Sequence, residues 1–139
     1  MRQVIVPVFI ALLFFALPTY SDENEAVSKS QIAATTWLIL TDSGKYPESW
    51  EEAAASIKLA ITKPDWERAL KSYRSPLGTL KSRKLKSATF TRTLSGAPDG
   101  EYVVIQYDTQ FENKASAIET VTPMHEKDGS WRVSGYYIK

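Results

Sequence analysis

The chain has 139 residues, of which 43% are hydrophobic and 24% are charged, proportions typical of one globular domain. Its 17 basic and 16 acidic residues give a formal net charge of +1, and the loss of Arg2 with residues 1–21 leaves the remainder neutral. A neutral domain has no electrostatic footprint for nucleic acid, which is therefore excluded as an expected partner. The absence of cysteine excludes disulfides, thiolate metal sites, thiol catalysis and a lipid-modified cysteine.

The amino terminus has the pattern of a cleavable secretory signal peptide. Arg2 supplies a positive start, residues 4–17 form an apolar run broken only by Pro7, and Thr19 and Ser21 are small residues before an acidic stretch. A run of 14 residues spans about 21 Å as a helix, whereas a bilayer core requires about 20 apolar residues. We therefore expect cleavage after Ser21, a periplasmic or secreted protein, and no stable membrane anchor after cleavage.

A long helix is predicted at the start of the mature chain, over residues 23–41. Gly44 follows it and is suited to end it, because glycine adopts the left-handed conformation that closes many helices. The apolar stripe of this helix consists of residues at helical spacing: Ile32, Thr36, Trp37 and Leu40, widened by Leu38 and Ile39.

Two shorter helices are predicted next. Residues 46–47 form a linker, and Ser49 with Glu52 three residues later fits a capping box that begins a second helix. Residues 62–65 form another start signal, with a proline in the first turn where its missing N–H group is harmless. The third helix then continues to Tyr73.

The second half of the chain has the alternation of β-strands rather than helical spacing. Apolar and polar residues alternate in four segments: residues 84–94, 101–111, 116–126 and 130–138. Turn-forming clusters separate them at residues 96–100, 112–114 and 127–129. Consecutive hairpins pair antiparallel, and helices must cover one face of the sheet. The fold class is therefore α+β, with N-terminal helices packed on a four-stranded antiparallel sheet in a single domain over residues 22–139.

Several stretches of this sequence are similar to one known family. They are Trp37 and Leu38 with Asp42, Gly44, Tyr46, Ser49 and Trp50; Trp66; residues 74–78 and 82–83; residues 98–107; and residues 128–137. Together they cover nearly all of the mature chain and resemble the exported bacterial family named domain of unknown function 4019. The resemblance implies a cystatin-like roll, shared with nuclear transport factor 2-like domains, in which a curved antiparallel sheet wraps a long helix.

The most asymmetric feature of the sequence is a basic run. Seven lysines and arginines fall between Arg68 and Lys86 with no acidic residue among them. Arg74 and Arg83 flank a rigid Pro-Leu-Gly turn, and guanidinium is the better partner for a planar anion. Two adjacent arginines repel unless an anion lies between them, so we predict an anion-binding site at this turn. In the alternative reading, the arginines bind turn carbonyls or a carboxylate such as Asp108, and the pair is structural.

No catalytic residue, metal ligand set or cofactor site emerges from the remaining polar residues. His125 is the only histidine, which rules out a metal site of three histidines, and a surface or structural role is its expected use. Asp108 is expected on the solvent side of its strand, and it becomes a site candidate if that face is covered. Trp37 and Trp131 are predicted core residues.

The sequence therefore favours a non-catalytic exported module that binds a small anionic ligand or another envelope protein. Arg74, Arg83 and Asp108 are its candidate ligand-binding residues. One alternative is an enzyme that uses the interior of the cone-shaped roll, with Asp108 or His125 as the base. Another is a structural homodimer that associates through an open face of its sheet.

Overall fold

A computed structural model describes residues 11–13 and 20–139 of the chain. Most of the predicted signal peptide, residues 1–10 and 14–19, lies outside these residues, and its cleavage stays a prediction. Within the described part, no helix has both the length and the apolar character needed to cross a bilayer.

The long helix, α1, covers Tyr20–Asp42. It ends where predicted, because Gly44 follows it with a φ of 71°. The inner face of α1 buries Ala34, Trp37 and Leu38. The predicted stripe is partly wrong, since Ile32 is 68% exposed and Thr36 is also exposed.

Two short helices, α2 (Tyr46–Glu51) and α3 (Ala55–Ala60), replace the single second helix predicted. The linker assigned to residues 46–47 is wrong, because Pro47 lies in the first turn of α2, where no helical hydrogen bond needs its missing N–H group. The capping box at Ser49 is also wrong. Ser49 is buried inside α2, and its hydroxyl donates to the carbonyl of Tyr46 at 2.6 Å.

Helix α4 covers Lys63–Arg74 and begins at the predicted cap. The Thr62 hydroxyl accepts a hydrogen bond from the backbone N–H of Asp65 at 3.3 Å, which satisfies one of the free amides at the helix start. A 3₁₀ turn at Ser75–Leu77 then leads to Gly78, whose φ of 74° turns the chain into the sheet.

The sheet has four strands: β1 (Leu80–Thr91), β2 (Tyr102–Phe111), β3 (Lys114–His125) and β4 (Trp131–Ile138). They lie in the order β1-β2-β3-β4, and each pairs antiparallel with the next. This confirms the predicted α+β class, with the helices amino-terminal to a four-stranded antiparallel sheet. The first strand begins four residues earlier than predicted, which places Arg83 inside β1.

The core lies between α1 and one face of this sheet. Ile105 pairs with Ala88 on one side and with Val121 on the other, so these three side chains share the inner face. Trp37 of α1 belongs to the same buried cluster as Ile105 and Val121. In the described chain the helices contact this sheet from the inner face, and the homodimer expected through the outer face stays a prediction.

Candidate functional site

Arg74 and Arg83 meet at one carboxylate, that of Asp42. Arg74 ends α4, Arg83 lies in β1, and Asp42 ends α1. Arg74 Nη2 donates to Asp42 Oδ1 at 2.8 Å, while Arg83 donates from Nη1 to Oδ2 at 2.8 Å and from Nη2 to Oδ1 at 2.9 Å. The chain therefore brings the two predicted arginines together, with Asp42 between them.

A second carboxylate, Glu119 of β3, extends this cluster into the sheet. Its side chain is 0% exposed. Arg83 Nε donates to it at 2.7 Å, the Thr109 hydroxyl at 2.6 Å and the Tyr136 hydroxyl at 2.5 Å. Arg74 also donates to the Tyr136 hydroxyl, at 3.2 Å. We call the set Asp42, Arg74, Arg83, Glu119 and Tyr136 the charge cluster.

The charge cluster is electrically balanced, with two guanidinium groups and two carboxylates. The Arg74 and Arg83 side chains are only 4% and 14% exposed. Burial opposes the charged form of Asp42, but hydrogen bonds from Arg83 and Arg74 outweigh it, so the pKa of Asp42 is lowered. Burial and the neighbouring Glu119 carboxylate raise the pKa of Tyr136, so its phenol stays protonated and donates to Glu119. The geometry thus favours the structural reading of the arginine pair.

Asp108 lies apart from the charge cluster. Successive side chains of a strand point to opposite faces, so Asp108 is exposed on the outer face while Thr109 points inward to Glu119. Asp108 and Lys84 are paired in register there and line a polar depression of about 460 Å³. In the described chain, Asp42 is the carboxylate that joins Arg74 to Arg83, Glu119 pairs with Arg83 alone, and Asp108 contacts neither arginine.

Two signals in the sequence point to the carboxylates that sequence analysis missed. Asp42 ends a helix, where a negative charge opposes the helix dipole and requires a cationic partner. Glu119 stands in the inward phase of β3, between the buried Ala117 and Val121. A buried carboxylate in such a position is almost always paired.

His125 is the last residue of β3 and is exposed beside the β3–β4 turn. Its Nδ1 lies 2.9 Å from Glu101 Oε2, and its Nε2 lies 3.2 Å from the carbonyl oxygen of Gly129. The ring stacks on Trp131 with 4.9 Å between centroids. In the described residues no group of three or more metal-ligating side chains is present.

A cleft of about 810 Å³ lies between α1, α2 and the start of β4. We call it the α1–β4 cleft. Its apolar wall consists of Ile32, Ala33, Trp37, Leu40, Trp131 and Val133. Its polar rim consists of Lys29, Thr36, Glu48, Glu51, Glu52, Gly129, Ser130 and Arg132.

The floor of the α1–β4 cleft is held by Trp37. The Trp37 indole N–H donates to the carbonyl of Ser49 at 2.8 Å. Its ring packs edge-on against Tyr136 at 5.1 Å and Trp66 at 6.3 Å between centroids. Trp37 is 2% exposed, as predicted for a core residue, whereas Trp131 is only half-buried and forms the opposite wall.

The connection between α2 and α3 closes one side of the cleft. The backbone N–H of Ala54 donates to the carbonyl of Val133 at 2.8 Å, which fixes this connection to the edge of β4. The walls of the cleft are therefore held by the same hydrogen bonds and ring contacts that hold the fold. A ligand would enter a largely preformed site.

The family model described as protein of unknown function (DUF4019) matches residues 33–136. The chain belongs to the DUF4019 family. The matched DUF4019 region includes the charge cluster and nearly all of the α1–β4 cleft, with Lys29 and Ile32 just before it. Searches of curated proteins and of solved structures found no match.

Proposed function

We propose that this DUF4019 protein is an exported, non-catalytic domain that binds a small ligand or a segment of another envelope protein in the α1–β4 cleft. The observation that carries the proposal is the cleft itself. Its volume of about 810 Å³ lies in the range of small-molecule sites, and apolar walls with a few polar rim groups are typical of them. Arg74 and Arg83 already pair with carboxylates of the chain, so the cleft is a better candidate for the ligand site than the arginine pair.

Binding is better supported than catalysis. Ser130 lines the cleft near His125, but the Ser130 hydroxyl donates to Asp128 at 2.6 Å, whereas the His125 ring contacts Glu101 and Gly129. A nucleophile and base require a direct hydrogen bond, which this arrangement lacks. The buried carboxylate Glu119 lies in the charge cluster and does not line the cleft.

The cleft is tested with a neutral apolar probe, 4-phenylbutanol, followed by amide chemical shifts in NMR spectra. We expect the largest shifts at Trp37 and at residues 129–133, because these line the cleft. Ala33→Trp places a large side chain in the cleft and is expected to weaken probe binding at least tenfold.

Ala69→Trp is the matched control, since Ala69 is exposed on α4 and does not line the cleft. It is expected to leave probe affinity unchanged. Shifts scattered over other surfaces, or equal affinity in Ala33→Trp and the original protein, would contradict the proposal.

Export is tested separately, by the intact mass of the protein recovered from outside the cytoplasm. The signal-like pattern of residues 1–21 predicts a mature chain that begins at Asp22. A mass that still includes residues 1–21 would exclude cleavage after Ser21.

A further inference from the structure

We infer that the α1–β4 cleft selects organic cations with an apolar body over anions of the same shape, an inference that rests on the proposed function. Two features carry it. The first feature is that the walls of the cleft are aromatic and aliphatic. The second is that the ionised rim side chain without an ion-pair partner in residues 20–139 is a carboxylate. The ligand class is therefore an alkyl- or arylalkylammonium group.

The basic groups of the rim already have acidic partners. Lys29 Nζ lies 2.7 Å from Glu25 Oε1, one turn earlier on α1. Arg132 Nη1 lies 3.7 Å from Glu52 and 3.5 Å from the Glu52 carbonyl, while its Nε donates to Ser130 at 3.2 Å. An incoming anion would compete with these internal partners.

The acidic groups of the rim, unlike the basic ones, are not all paired within residues 20–139. Glu51 pairs with Lys63 outside the cleft. Glu48, one turn earlier on α2, lines the cleft, is exposed, and has no ion-pair partner in residues 20–139. Glu48 is therefore the carboxylate available to an incoming ammonium group.

The walls of the cleft favour the same ligand class. Trp37 and Trp131 line it together with the aliphatic side chains of Ile32 and Leu40. Ile32 is 68% exposed, so its contact with an apolar ligand body removes hydrocarbon from water. The apolar walls thus contact the hydrocarbon body of the ligand, and Glu48 attracts its ammonium group.

Three probes of nearly equal size separate charge from shape: 4-phenylbutylamine, 4-phenylbutanol and 4-phenylbutyrate. Dissociation constants are measured by NMR titration at low salt. We expect the amine to bind about threefold tighter than the alcohol, a modest ratio because an exposed carboxylate is screened by water. The butyrate is expected to bind weaker than the alcohol, and 0.5 M NaCl should reduce the preference for the amine.

Glu48→Gln is expected to abolish the preference for the amine over the alcohol. Glu67→Gln removes an exposed carboxylate of α4 outside the cleft and serves as the control, with the preference retained. Equal affinity for amine and alcohol, or tightest binding of the butyrate, overturns the cation inference but not the proposed function. If none of the three probes shifts the cleft residues, the proposed function fails as well.

Discussion

The Asp42→Asn variant is expected to lose about 3–5 kcal/mol of unfolding free energy, because one substitution breaks two largely buried ion pairs. Asparagine preserves the shape of the side chain but removes the charge that both arginines share. Arg74 is 4% exposed, so its guanidinium group would stay buried without its carboxylate. Against a total stability of about 5–15 kcal/mol for a domain of this size, such a loss is large.

Urea unfolding followed by tryptophan fluorescence measures this loss. Asp108→Asn makes the same chemical change on the exposed outer face of the sheet and is expected to alter stability by about 0.5 kcal/mol or less. Equal stabilities for the two variants would show that the charge cluster contributes nothing to folding. The structural reading of Arg74 and Arg83 would then be lost.

The pH dependence of stability gives a second readout of the same cluster. The pKa of Asp42 is lowered in the folded chain, so its contribution is fully present above the unfolded value of about 3.9. That contribution is lost as the pH falls through the folded pKa, when the carboxylate becomes protonated. The original protein should therefore lose stability more steeply below about pH 4 than Asp42→Asn does.

The order of elements follows from local sequence signals, which is why the fold class was predictable. Thr62 caps α4 and Gly44 closes α1 through interactions within a few residues. The start of α2 was mispredicted because the Ser49 side chain binds groups inside the fold instead of capping a helix. A serine before a glutamate three residues on fits a helix start, but here Ser49 is buried and accepts from the Trp66 indole at 3.0 Å.

The charge cluster was only half predictable, because its parts come from five elements. The turn at Ser75–Leu77 keeps Arg74 and Arg83 near each other, and this followed from chain connectivity. Their partners Asp42 and Glu119 lie more than 30 residues away along the chain. Which acid meets which arginine depends on strand register and helix placement, and these are set by packing of the whole core.

The α1–β4 cleft had no sequence signal for a related reason. Ile32 and Thr36 fit the apolar stripe of α1, yet they face the cleft and solvent because the sheet covers only part of that stripe. Strand alternation predicts Trp131 as a core residue. It is the first residue of β4, is half-buried, and lines the cleft while it packs against the margin of the core. A cleft is a gap between elements, and spacing within one element does not specify it.

Trp37→Ala is expected to destabilise the protein by about 3–5 kcal/mol and to lower its melting temperature by about 10 °C or more. The indole is 2% exposed, so its removal leaves a cavity between α1 and the sheet. The carbonyl of Ser49 loses its 2.8 Å hydrogen bond, and the rings of Trp66 and Tyr136 lose their edge-on contacts. Tyr136 also donates to Glu119, so the cavity weakens the charge cluster at the same time.

Trp131→Ala is the control that separates a core aromatic from a cleft wall. Trp131 is only half-buried, and its stacking partner His125 is exposed, so the loss should be clearly smaller than at Trp37. Differential scanning calorimetry compares the two variants under one set of conditions. Equal melting temperatures would mean that Trp131 is as much a core residue as Trp37. A smaller loss at Trp131, together with weaker binding of 4-phenylbutanol, is the result expected if this tryptophan serves the cleft rather than the core.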